Sequence, residues 1–375
     1  MFVKTVEEQK LSFKNFQKNI IKLKNSINNN LKLDRTKKIK FEDKDYFNLI
    51  SIMGVFGTCA NDTSNTLKIE KLTPDSDSLL KEIKKLKPEE IENQFNRISE
   101  KQFYKMFPKA KRNKRYSAVA MIDFHEQETY SKHKKTSKNI RGGKHKNGTN
   151  YFFHYGTIMI MINNKILTLG VELYKREQNI TDLVIKMVKR VMQYVDIELL
   201  LLDRGFRNVE IFNELEFLQI PILMPCVKDK KAQRIFDKTL KKKKFGRVNF
   251  SITNKKKETA RVTLITIKMG KHKFGFYTTI KGTWFKKSKY FIKLYMKRWN
   301  IETGYRVQNQ ILPKTTSINF NVRYFYFYYA IVMHNGWLIL NYSKKFTQRI
   351  TILMIKIILI FDWICEVFRN QNIPI

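Results

Sequence analysis

Three acidic residues stand apart because of what flanks them. Asp203 follows four consecutive leucines, Leu199 to Leu202, and precedes Arg204, Gly205 and Phe206. An apolar run of this length bounded by charge suits a strand covered on both faces, whose carboxyl end delivers Asp203 to the edge where such sheets collect ligands. Asp123 closes a second apolar run, Tyr116 to Phe124. Glu302 lies in a stretch from Ser288 to Gln310 that reads as one helix. At spacings of three and four, Tyr295, Arg298, Glu302, Arg306 and Asn309 share one face, while Phe291, Leu294, Ile301 and Tyr305 can pack on the other. Two strand-end carboxylates and a third from a helix are what a pair of Mg²⁺ ions needs. Such ions take oxygen donors and clamp the attacking and leaving oxygens of an in-line phosphoryl displacement. The cationic neighbours then hold the phosphates of the substrate. Taken alone, Arg298 and Glu302 make only an intrahelical ion pair, worth ~0.3 to 0.5 kcal/mol on a solvated face.

The elements that must carry these acids are legible around them. Tyr151 to Ile162 and Lys165 to Glu172 read as strands joined across Asn163 and Asn164, a hairpin turn pair. Ile180 to Val195 reads as a crossover helix with Leu183, Val184, Met187, Val188 and Val191 on its apolar face. Gly205 permits a sharp turn after Asp203, and Phe206, Val209, Phe212 and Leu215 begin a helical pattern that packs back on the sheet. After a strand from Pro221 to Cys226 the pattern dissolves into the basic run Lys228 to Lys243. Strand-like alternation then returns in Val248 to Thr253, Thr259 to Met269 and Lys273 to Ile280. This reads as a β insertion over about residues 227–286, long enough for a small sheet and too short for a domain of its own. The catalytic α/β core is expected over 113–316. Residues 1–112 read as a helical, polar, DNA-binding region, with helices at Ser76 to Leu86 and from Pro88 onward. Residues 317–375 form a helical C-terminal region, in which the aromatic run Tyr324 to Tyr329 reads as a buried helix.

Composition limits the partners. The chain has 375 residues, and 43% hydrophobic residues with 28 Phe and 17 Tyr can fill real cores. A net charge of +40, from 73 basic against 33 acidic residues, calls for a polyanionic partner and selects nucleic acid, anionic membrane or ribosome without ranking them. The loop after Asp123 concentrates Lys132, Lys134, Lys135, Lys138, Arg141, Lys144 and Lys146, with Gly142, Gly143 and Gly148 as hinges. Trp284 and Trp299 each carry an indole that could stack on an extruded base if the partner is nucleic acid; a buried core tryptophan is the alternative for each. The histidines His125, His133, His145 and His154 cluster without zinc-ligand spacing. Cys59, Cys226 and Cys365 lie far apart and form neither a disulfide framework nor a CxxC pair, which suits a reducing cytoplasm. No signal-peptide core opens the chain. The apolar stretch Ile350 to Cys365 is broken by Lys356 and Asp362, so a core or dimer helix is expected there and not a membrane span.

Read together, these features resemble the DDE transposases of prokaryotic insertion sequences, in the group related to insertion sequence four. The third acid of that family falls in the pattern Tyr, two residues, Arg, three residues, Glu, six residues, Lys. Tyr295, Arg298 and Glu302 fit it, and Asn309 stands where the family has Lys, with Arg306 or Lys314 as alternative sources of that charge. Asp203 to Phe206 resembles the family's Asp-Arg-Gly-Phe signature, and Asp123 its strand-end Asp. The resemblance covers about residues 115–340. It implies an RNase H-like core interrupted by a β-rich insertion, with Asp123, Asp203 and Glu302 as catalytic metal ligands for Mg²⁺, or Mn²⁺ in its place. It also implies cleavage of transposon ends and strand transfer into target DNA, by a homodimer that acts at the nucleoid. Tyr295, Arg298, Arg306, Arg204, Lys132, Lys144 and Trp284 are the expected DNA contacts. Two rivals share the charge or the fold: a decayed, non-catalytic basic DNA-binding protein, and an RNase H-like nuclease acting on RNA or a hybrid.

Overall fold

The structure is a computed structural model that describes residues 6–35, 40–67, 73–112, 115–132, 134–227, 229–241, 243–281, 288–343 and 349–370. Trp284 and His133 lie outside these residues. The chain divides into two compact units, one of Met1–Pro108 with Gly304–Ile375 and one of Lys109–Thr303. Among the described residues no helix is long and apolar enough to cross a membrane.

The first unit opens with helices α1 (Val6–Asn28), α2 (Asp43–Phe56), α3 (Ala60–Leu67), α4 (Ser76–Lys85) and α5 (Pro88–Met106). The expected helix starts are the observed ones: the Asp75 side chain accepts from the Asp77 N–H to cap α4, and Pro88 occupies the first turn of α5.

The second unit is built on a nine-stranded mixed sheet. In chain order it contains β1 (Tyr116–Glu128), β2 (Arg141–Lys146), β3 (Thr149–Ile162), β4 (Lys165–Leu173), α6 (Ile180–Val191) and β5 (Val195–Leu201). It continues through α7 (Val209–Phe217), β6 (Ile222–Pro225), α8 (Lys230–Leu240), β7 (Phe245–Thr253), β8 (Thr259–Met269), β9 (His272–Thr278) and α9 (Ser288–Met296). The strand order is β2-β3-β1-β5-β6-β9-β8-β7, with β4 also paired to β3. β1, β5 and β6 run parallel, and the remaining pairs are antiparallel. The β3 to β4 hairpin turns at Asn163 and Asn164, both at positive φ, which asparagine tolerates better than most residues. The five apolar residues assigned to the crossover face of α6 are all buried.

Three expectations change. β7, β8 and β9 do not close into a small sheet of their own, because Leu223, Met224 and Pro225 of β6 pair with Thr278, Tyr277 and Phe276 and extend the central sheet. The basic run after Cys226 contains α8, capped by the Asp229 carboxylate on the Ala232 N–H, with Ala232, Phe236 and Leu240 buried at intervals of four. The stretch from Ser288 to Gln310 is two helices, α9 and α10 (Trp299–Gln308), separated by a turn at Lys297 and Arg298. Bonds from the N–H groups of Lys297, Arg298, Asn300 and Ile301 reach only three residues back, and the Asn300 amide takes the Lys297 carbonyl, so the α-helical ladder is interrupted there.

The C-terminal helices α11 (Phe320–Tyr342) and α12 (Ile352–Asn370) complete the first unit. Every residue of α11 from Val322 to Leu340 is buried. The aromatic run is therefore the hub of the helical unit: Phe95 of α5 stacks on Tyr328 at 5.1 Å, and the Tyr329 hydroxyl meets Ser51 and Asn28. A Cβ on Gly54 would lie 2.4 Å from the Ile311 carbonyl oxygen, so only glycine lets α2 approach that backbone.

Candidate active site

Asp203 stands where its sequence suggested. β5 ends at Leu201, Leu199 to Leu202 are buried, and Asp203 leads into a single 3₁₀ turn, Arg204–Phe206. Its side chain does not cap that turn. Arg204 is exposed beside it.

Asp123 differs in one respect: it is not at the end of its strand. β1 continues to Glu128 because β3 pairs with it antiparallel as far as Glu128 opposite Phe152. Only the parallel pairing with β5 stops early, at Met121 opposite Leu201. The edge expected from the sequence therefore exists on the β5 side alone, and Asp123 lies two residues beyond it.

An aromatic stack joins the two acid-bearing segments. Phe124, adjacent to Asp123, lies on Phe206, three residues after Asp203, with ring centroids 5.0 Å apart and planes within 12°. Tyr174 stacks on the Phe124 ring, and the Arg141 guanidinium covers Tyr174 at 3.7 Å. The Arg141 Nη1 also donates to the carbonyls of Lys175 and Arg176. Arg141 is thus committed to structure and not to a ligand, whereas Lys132 and Lys144 are exposed. Arg176 holds the same loop, donating to the carbonyls of Ile140, Lys134 and Lys135.

Arg298 is the centre of the constellation. It is 7% exposed; Nη1 donates to Asp123 Oδ2 at 2.9 Å and Nη2 to Glu302 Oε1 at 2.6 Å. Tyr295 lies with its ring 5.6 Å from the guanidinium and packs on Phe276. Burial raises the Asp123 pKa to about 6, against the opposing pull of Arg298 and of the Phe124 N–H, and the charges of Asp203 and Glu302 raise it further. Burial also raises the Tyr295 hydroxyl to about 12. For Arg298 burial disfavours the charge, yet Tyr295, Asp123, Asp203 and Glu302 outweigh it and lift its pKa above the usual value. All three acids thus act on one guanidinium, and their mutual repulsion is what a cation between them would relieve. Burial lowers His125 and His154 to about 4, so both are neutral at physiological pH.

The 115–329 segment matches the family described as transposase DDE domain. The chain belongs to that family. The matched segment contains Asp123, Asp203, Glu302, Tyr295 and Arg298, and covers more than half of the chain. A comparison with curated proteins returns no match.

Family membership implies divalent metal, and the donor set suits it chemically: three carboxylates and no thiol or neutral imidazole among them favour Mg²⁺ or Mn²⁺ over softer ions. In the geometry described, no group of three His, Cys, Asp or Glu side chains among the described residues is arranged to hold a metal ion. Arg298 bridges Asp123 and Glu302 there. Arg306 is exposed in the last turn of α10, Asn309 is exposed just beyond it, and Trp299 is 58% exposed. The sequence reading missed Phe124 as the partner of Phe206; the signal was present as an aromatic residue close after each aspartate.

Proposed function

We propose that this chain is an active transposase of the insertion-sequence-four-like group, cutting DNA at the ends of its element and joining those ends to target DNA. The observation that carries this reading is that Asp123 and Glu302 both bond one buried guanidinium, Arg298, whose charge Asp203 also favours. Asp123, Asp203 and Glu302 would hold Mg²⁺, or Mn²⁺ in its place. When bound, the metal lowers the pKa of an attacking water and stabilises charge on the leaving oxygen. The carboxylates fix the direction of attack, and Tyr295, Arg298, Arg204 and Arg306 supply donors and charge for DNA phosphates. The freed 3′ hydroxyl then attacks the opposite strand or target DNA. The mixed sheet is read as an RNase H-like core over 113–316, with 227–286 as its insertion and 1–112 as the end-binding region. The test is Mg²⁺-dependent nicking of a plasmid carrying the short inverted repeats that flank the gene. No metal-dependent cut at those repeats would return the decayed DNA-binding protein to first place, and cleavage of RNA or hybrid in preference would favour the nuclease.

Charge sets a second expectation. If exposed Lys132, Lys144 and the lysines of the 228–244 run follow phosphates, the log of the DNA affinity falls linearly with log salt, at about 0.9 per phosphate neutralised. Charge-neutral variants of these lysines lower that slope. A slope unchanged by their removal assigns the contact elsewhere.

An exposed apolar face on α12 supports the reading of a dimer. Leu353, Ile357 and Phe361 recur at intervals of four and are 65%, 52% and 56% exposed. A helix face of this kind suits the same face of a second copy about a two-fold axis. Sedimentation is expected to show two chains per paired-end complex, and a Leu353→Glu, Ile357→Glu double variant to show one. Unchanged pairing in that variant defeats the proposal.

A further inference from the structure

Arg298 does more than a phosphate contact requires. A residue kept only for DNA would leave its guanidinium open to solvent between substrates, yet Arg298 is 7% exposed and spends both terminal nitrogens on the acids. The pairing to Asp123 spans 175 positions of sequence, so it is a tertiary bridge and not a local helix contact. Its Nε is buried with no hydrogen-bond partner among the described residues. The guanidinium is therefore strongly held by charge and incompletely satisfied by geometry, which is how an exchangeable cation is held.

Building on the metal reading above, we infer that Arg298 is a built-in counter-cation for the acids, occupying the space a divalent ion needs and competing with it. The guanidinium lies in contact with both Asp123 and Glu302, and Asp203 acts on its charge as well. In the DNA-free chain Arg298 neutralises Asp123 and Glu302, which would otherwise repel one another within a partly buried site. When the guanidinium swings out, its Nη atoms and its unsatisfied Nε can be met by an acceptor with several oxygens, such as a phosphodiester. The acids are then released to the metal. Arg298 is in this sense a positioning residue for the metal site, and its exchange makes metal affinity low until the substrate is present.

The test measures metal binding and not cleavage. Mn²⁺ is titrated into the full DNA-free chain and the free ion is followed by its electron paramagnetic resonance signal. Arg298→Gln is expected to bind Mn²⁺ at least about tenfold more tightly than wild type, equivalent to about 1.4 kcal/mol. Arg298→Lys retains the charge but cannot bridge two carboxylates in a fork, so it too binds more tightly than wild type; a long-range charge effect would leave it equal. Thermal unfolding confirms that each variant folds, and the lysine variant keeps the test alive if the glutamine variant does not. Wild-type affinity in both Arg298 variants, with binding abolished by Asp203→Asn, overturns the competition and leaves the metal reading standing. Mn²⁺ binding that survives Asp203→Asn unchanged overturns the metal reading itself.

Discussion

Asp203→Asn is expected to fold, to bind DNA as wild type does, and to cut its element's ends at least about a thousandfold more slowly, since on the proposed reading it removes a charged ligand from metal-assisted phosphoryl transfer. The structure makes this a clean substitution. The Asp203 side chain does not cap the 3₁₀ turn that follows it, and the turn is closed instead by the backbone bond from Phe206 N–H to the Asp203 carbonyl. The buried Phe206 and its stack on Phe124 hold the segment whatever the side chain at 203. An amide there keeps size and shape but withdraws a negative charge from the group that surrounds Arg298. Single-turnover cleavage of an end-bearing duplex, with DNA affinity measured in parallel, separates loss of chemistry from loss of binding. Wild-type cleavage by Asp203→Asn would remove Asp203 from the catalytic group, and equal loss of binding and cleavage would make it a structural residue.

Local pattern reveals what local forces decide. The leucine run before Asp203 announces a strand covered on both faces because parallel strands must be so covered, and β5 behaves accordingly. The α6 face follows a 3.6-residue period for the same kind of reason. Asp123 was only half legible, since the strand ends on its β5 side but is prolonged by β3, whose pairing partner lies some thirty residues on. The unbroken apolar and polar periodicity of 288–310 concealed the turn at Arg298. Nothing near that arginine records that its partner is Asp123, so neither the break nor the bridge could be read from spacing. α8 was hidden differently, by a density of lysine that masked Asp229 as a cap and the 232, 236, 240 spacing as a buried stripe. Candidate acids can be found by their flanks, but the cation among them is a fact of tertiary structure.

Asp123→Asn is expected to make the metal-free protein more stable at neutral pH, although on the proposed reading it removes a metal ligand. The ordinary Asp value of 3.8 rises to about 6 at Asp123, with burial as the largest cause, and this net value already includes the attraction of Arg298. Between those two values the folded chain keeps a proton that the unfolded chain has lost. The contribution of this group to stability is therefore full below about pH 4, falls as pH rises through 6, and is absent above it. A shift of about two units corresponds to about 3 kcal/mol. Asparagine stands in for the neutral carboxyl at every pH and never incurs that loss. Urea unfolding in the presence of a chelator should show the variant more stable than wild type by up to about 3 kcal/mol at pH 7.5, with the difference closing toward pH 4. Other titrating groups are common to both proteins and cancel in the difference. A variant less stable than wild type at pH 7.5 would mean that the bridge to Arg298 outweighs the burial of the carboxylate, and a gap independent of pH would mean that Asp123 titrates normally. The expected result makes Asp123 a charge held in the fold at a cost to stability, which a cation arriving at the site offsets.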